Sequence, residues 1–97
     1  NLRSVFAGFF LTVLIPAAFA QGKLPPDVNR YVERRDNCDH FRGEEPYDAA
    51  RREFLTKQLK AFCTGTDRQL EALKRKYRKN KAVLIRLQDY EVQIEAK

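Results

Sequence analysis

Ten consecutive residues, Asp36-Asn37-Cys38-Asp39-His40-Phe41-Arg42-Gly43-Glu44-Glu45, form the densest group of side chains here that can move a proton, hold a cation or grip a partner. On a helix Asp36 and His40 share a face, and either can join Glu44 or Glu45 around a metal ion. Zinc asks for three or four ligands, yet the segment offers a single imidazole and the spacing of no finger or metalloprotease. A histidine beside carboxylates near a helix end more commonly answers the helix dipole in its charged form. Capping is therefore the expected role of His40, and a metal-dependent site centred on Asp36, Asp39, His40 and Glu44 stands as the alternative.

Nucleophilic catalysis is poorly supplied. Beyond residue 20 there is no serine, His40 is the only imidazole and the two cysteines are expected to be paired, so nucleophile-plus-base arrangements cannot be assembled. A two-carboxylate hydrolase holds sugar in a groove larger than so short a chain is expected to offer. No catalytic residue, metal or cofactor is assigned.

The second chemically marked stretch is Lys74-Arg75-Lys76-Tyr77-Arg78-Lys79-Asn80-Lys81, six basic residues in eight, with Arg86 shortly after. With Tyr77 turned inward, the charges fan around the outer helix surface. Such a block attracts polyanions, and its plainest use is solubility. Arg51, Arg52, Lys57 and Lys60 form a weaker group, in which Glu53 and Lys57 are spaced to pair across one helical turn.

Where these residues work follows from the first twenty. One charge at Arg3 precedes an uncharged apolar run from Val5 to Ile15, then Pro16 and the small residues Ala18 and Ala20. That is the layout of a cleavable export leader with its cut after Ala20, and the run falls short of the roughly 20 residues that span a bilayer. Removal leaves 77 of the 97 residues and takes away one positive charge from the net +6. Export carries Cys38 and Cys63 into an oxidising compartment, where a disulfide is expected rather than a metal site or a closely spaced redox pair. Closing this loop removes roughly 3 to 3.5 kcal/mol of unfolded-state entropy, a large share of the stability of a small domain.

The elements that must position these groups read as helices. Residues 21–26 are a flexible lead-in, and 27–97 form one domain. Pro25-Pro26 with Asp27 as cap starts a first helix carrying Val28, Tyr31, Val32, Cys38 and Phe41, stopped by a left-handed Gly43. Pro46 suits the first turn of a second helix, whose Tyr47, Ala50, Phe54, Leu55, Leu59 and Phe62 make the clearest amphipathic stripe, ending at Gly65. An antiparallel hairpin with a short turn would separate Cys38 from Cys63, so the helices must cross or splay. Thr66-Asp67-Arg68-Gln69 reads as a capping box opening a third helix with Leu70, Leu73 and Tyr77 inside. Asn80 breaks it before a fourth carrying Val83, Leu84, Leu87, Tyr90 and Ile94, although one long helix over 67–95 is the other arrangement. The expected fold is all-α, a small bundle of three to four short helices closed by one disulfide and preceded by a signal-peptide helix.

The run from Glu33 to Asp48, followed by Cys63-Thr64-Gly65-Thr66-Asp67, resembles a family of small exported proteobacterial proteins of unknown function, most specifically in its C-D-H-F-R-G-E wording. The resemblance implies a Gram-negative periplasm, with secretion as second choice, and carries no activity. The expected function is an exported interaction module of inhibitor, immunity or accessory type, binding an envelope protein or an anionic envelope polymer. Its candidate residues are Asp39, His40, Arg42, Glu44 and Glu45, and Lys74, Arg75, Lys76, Arg78, Lys79 and Lys81. Nucleic acid is not an expected partner, and no span remains after cleavage. Mass analysis of the exported protein is expected to find Gln21 at its N-terminus and no free thiol; an intact leader in the cytosol with both thiols reactive would contradict the reading.

Overall fold

Pro26 occupies the first helical turn, where its fixed φ suits the helix and its missing N–H leaves no orphan donor. A computed structural model describes residues 23–95; the expected leader helix and its cut after Ala20 lie outside the described residues. Four helices follow in order: α1 Pro26–Arg42, α2 Ala49–Cys63, α3 Thr66–Lys76 and α4 Lys81–Leu87. The described residues contain no strand and are all-α.

Several helix ends differ from their sequence-based assignments. Pro25 holds the cap position of α1, and Asp27 lies inside its first turn with its carboxylate turned to other partners. Gly43 ends α1 with φ −87°, an ordinary conformation, its N–H donating to the Asp39 and His40 carbonyls. Pro46 stays in the connection, and Asp48 caps α2 by accepting from the Arg51 amide at 2.8 Å. Gly65 is the residue that takes the left-handed conformation, at φ +84°. The Thr66 capping box does not form: the Thr66 hydroxyl donates to the Cys63 carbonyl at 2.7 Å, and Gln69 accepts from Arg34 at 3.3 Å. Asn80 does separate α3 from α4, its side chain accepting from the Val83 amide at 3.2 Å. Leu87 ends α4, which leaves Tyr90 and Ile94 on an irregular C-terminal segment.

The cap for α3 arrives from that segment. The Glu95 carboxylate accepts from the Gly65 and Asp67 amides, each at 2.9 Å, while the Asp67 carboxylate accepts from the Ile94 amide at 3.0 Å and the Glu95 amide at 3.1 Å. Two segments 28 residues apart thus exchange carboxylate-to-amide bonds, a charge-assisted class worth roughly 1.5–3 kcal/mol each.

The core is built by three of the helices. Val28 and Tyr31 of α1, Leu70 and Leu73 of α3, and Val83 and Leu87 of α4 form the buried cluster, with Leu24, Val32, Tyr77 and Tyr90 packed against it. Leu24 thus docks on the core from the stretch that the sequence placed in the lead-in. Arg35, fully buried on α1, donates to the Tyr31 hydroxyl at 2.9 Å and to Asp39 at 3.0 Å, and lies 5.1 Å from the centre of the Tyr90 ring.

Helix α2 supplies nothing to this cluster. Its stripe buries Leu55 alone: Tyr47 is 78% exposed, Phe54 39% exposed and Ala50 open to solvent, while Leu59 and Phe62 are half-buried. The apolar face of α1 is already occupied by α3 and α4, so α2 lies on the outside. Three devices hold it there. Cys38 and Cys63 are joined with their Cα atoms 5.1 Å apart. The Phe41 ring lies 5.9 Å from Phe54 and 6.0 Å from Phe62, two turns apart on α2. Arg34 donates to the Ala61 and Thr64 carbonyls at the end of α2. These contacts all meet the second half of α1, the placement that the cysteine positions demand. Replacing both cysteines by alanine is expected to lower stability by about 3 kcal/mol in urea unfolding, with the amides of α2 losing hydrogen-exchange protection before those of α1, α3 and α4; simultaneous loss in all four helices would show that α2 does not depend on the bond.

Candidate functional site

The first candidate segment, at the end of α1, is engaged by ion pairs along the surface. Asp36 accepts from the Tyr90 hydroxyl at 2.6 Å and lies 3.8 Å from Arg86. Asp39 takes Arg35 at 3.0 Å and Arg42 at 2.9 Å, and Arg42 also reaches Glu91 at 3.5 Å. Glu44 bonds Arg51 across the α1–α2 connection. That bond holds the Glu44 carboxyl below its ordinary range and raises the Arg51 guanidinium. His40 is exposed in the last turn of α1, its ring edge-on to Phe41 with centres 5.0 Å apart, and Glu45 faces solvent.

Three carboxylates offered by the sequence as one cluster therefore serve three separate cation sets. They converge on no common point, and no group of three histidine, cysteine, aspartate or glutamate side chains able to hold a metal occurs among the described residues. What the segment does is brace the ends of α1 and α4 and the turn into α2. Exposed pairs of this kind contribute about 0–1 kcal/mol each, so their effect is mainly on geometry.

The basic run behaves differently. It begins on α3, crosses the turn at 77–80 and ends at the first residue of α4, so its charges gather around the corner where the two helices meet. Two members have internal work. Lys76 reaches Asp27 at 2.7 Å, and the Tyr77 hydroxyl donates to the same carboxylate at 2.8 Å, fastening the start of α1 to the end of α3. The Lys76 and Tyr77 hydrogen bonds hold the Asp27 carboxyl below its ordinary range, and Asp27 raises the Lys76 amine in return. Arg75 lies a loose 3.7 Å from Glu71.

Lys74, Arg78, Lys79 and Lys81 have no acidic partner among the described residues. Arg78, Lys79 and Lys81 are exposed and Lys74 is half-buried. No aspartate or glutamate occurs from Ala72 to Gln88, seventeen residues holding seven cations. The potential at this corner is therefore positive without local compensation. A groove of about 550 Å³ between α3 and the C-terminal segment, lined by Leu70, Glu71, Lys74 and Val92 among others, runs beside it. The Glu53–Lys57 pair forms at 3.9 Å with both side chains largely exposed, as the spacing predicts.

No family model, curated protein or solved structure matches the chain. The functional reading therefore rests on the geometry.

Sequence reasoning missed three residues that organise these surfaces. Arg35 had a signal, the Tyr31-Arg35-Asp39 ladder at four-residue spacing. Arg34 and Glu95 had none, because their partners lie 27 or more residues away. Tyr90 carries the clearest titration consequence: burial first, then its hydrogen bond to Asp36, pushes its phenol up to about 12. The fold favours the neutral phenol, so this stabilisation is complete below the ordinary tyrosine range and disappears as pH rises through about 12. Ultraviolet titration of phenolate is expected to show a late step near 12 that Tyr90→Phe removes; an unchanged late step in the variant would reassign it.

Proposed function

We propose that this chain is an exported, non-catalytic helical module whose corner between α3 and α4 holds an anionic partner of the cell envelope. One observation carries the reading. Lys74, Arg78, Lys79 and Lys81 have no acidic partner among the described residues, whereas Asp36, Asp39 and Glu44 of the other candidate segment are each engaged by the chain's own cations or hydroxyls. A charge already paired within the molecule must lose that partner to bind another; an unpaired exposed lysine loses only water and counterions. The second surface is thus the cheaper one to use.

A non-catalytic role follows from the same distribution. The corner offers amines and guanidinium groups with no neighbouring general base or nucleophile, and such an arrangement attracts and orients negative charge without activating a bond. Rigidity favours binding: the Asp27 brace and the disulfide order the scaffold beforehand, which reduces the entropy lost on association.

Retention on a sulfated polyanion matrix tests this. The combined variant Arg78→Gln, Lys79→Gln, Lys81→Gln is expected to elute at lower salt, with the log–log salt slope reduced by about three, and to keep its thermal midpoint because all three side chains are exposed. Lys76→Gln is expected to do the reverse, lowering the midpoint while changing the slope by about one or less. Co-elution of the combined variant with the unaltered protein would remove the corner from consideration.

A further inference from the structure

We infer that the partner of this corner is an anionic lipid surface, on which Arg78, Lys79 and Lys81 meet headgroups while Ile85 enters the apolar boundary beneath them. The inference rests on the functional reading above and names the partner's chemistry. Ile85 is 55% exposed, among the most open large aliphatic side chains of the described residues. It lies one helical turn beyond Lys81 on α4, so the two share a face, and Ala82, also exposed, sits three residues before it on that face. An apolar side chain is thereby set at the edge of a cationic patch, the combination that gives interfacial binding its two components.

The shape and residue types favour a bilayer over an acidic protein. Arg78 and Lys79 occupy the turn itself, and of the four unpaired cations Lys74 alone lines one of the grooves, that of Leu70 and Val92; Arg78, Lys79, Lys81 and Ile85 belong neither to it nor to those lined by Leu59 and Ile94 or by Tyr47 and Phe54. A protein hot spot is normally an anchor seated in a recess, and Arg78, Lys79, Lys81 and Ile85 line none of these grooves. Three of the four unpaired cations are lysines, compact charges on flexible stems that do not demand the planar pairing geometry of arginine. They suit an array of mobile headgroups without fixed positions. Each basic residue near an anionic surface strengthens binding roughly fivefold, so the four unpaired cations together favour anionic over neutral membranes by roughly 10²–10³-fold.

Local trypsin protection in the intact, disulfide-bonded chain reads this contact directly, because the enzyme cuts after the residues in question. Vesicles of one part phosphatidylglycerol to three parts phosphatidylcholine are compared with pure phosphatidylcholine and with soluble polyglutamate. Cleavage after Arg78, Lys79 and Lys81 is expected to slow about tenfold or more on the anionic vesicles and to recover in high salt, while cleavage after Lys57 and Lys60 on α2 stays equal on the two vesicle types. Ile85→Asn, exposed and therefore without effect on folding, is expected to weaken vesicle protection about fivefold and to leave polyglutamate protection unchanged. Protection by polyglutamate without protection by anionic vesicles would overturn the lipid assignment and leave the functional reading standing. Absence of both would overturn the two together, and full vesicle protection in Ile85→Asn would overturn the insertion of that side chain.

Discussion

The bond between Cys38 and Cys63 ties α2, the least buried helix, to the core-forming α1. Helix α2 buries one leucine, a contribution of about 2 kcal/mol, against an ordering cost on the order of 1–2 kcal/mol for each of its residues. Its internal hydrogen bonds narrow that gap, but an isolated helix of its length is marginal in water. A covalent link to α1, which already belongs to the core, converts the docking of α2 from an encounter into a local rearrangement. Phe41 and Arg34 then find partners that they could not hold alone. The oxidising destination expected from the leader and the architecture are, in this sense, one requirement.

Local signals in the sequence were reliable where the partner is local and failed where it is distant. Asn80 and Gly65 act within a few residues of themselves, and the structure uses both as turn chemistry predicts. Thr66 and Gln69 have the wording of a capping box, yet the start of the helix is capped from a distance, Glu95 accepting with a full charge from the neighbouring Gly65 and Asp67 amides. The stripe on α2 failed for a related reason. Periodicity shows which face a helix would bury if an apolar surface were available, and the available surface of α1 had been taken by α3 and α4. The least buried helix, α2, in fact divides its apolar and polar residues between faces less sharply than α3, which joins the core beside α1 and its buried arginine.

The same division runs through the candidate site. That positive charge gathers between residues 74 and 81 is plain from composition. Which of those cations are occupied is not, since Lys76 is engaged by an aspartate 49 residues earlier. Conversely, the acidic segment at 36–45 looked rich because its groups are adjacent in sequence, and it is quiet because Asp36, Asp39 and Glu44 have each found a cation from another turn or another element, which leaves only Glu45 to solvent. Adjacency supplied a list of functional groups, and tertiary structure divided it into those that hold the fold and those left over for a partner.

The reciprocal bonds between Asp67 and Glu95 give the chain an unusual mechanical order. Residues 38–63 form a covalently closed ring, and residues 67–95 form a second ring without covalent closure, shut by the Asp67–Glu95 bonds and by apolar packing of Leu70 and Leu73 with Val83 and Leu87; the two stand in series with Gly65 at their junction. Tension applied between the ends opens the second ring first and can never extend the interior of the first. A stretched molecule is thereby shortened by up to about 85 Å of contour, at roughly 3.3–3.6 Å for each sequestered residue. A pull along the chain passes through both rings, but in the first it crosses the disulfide and leaves residues 39–62 unloaded.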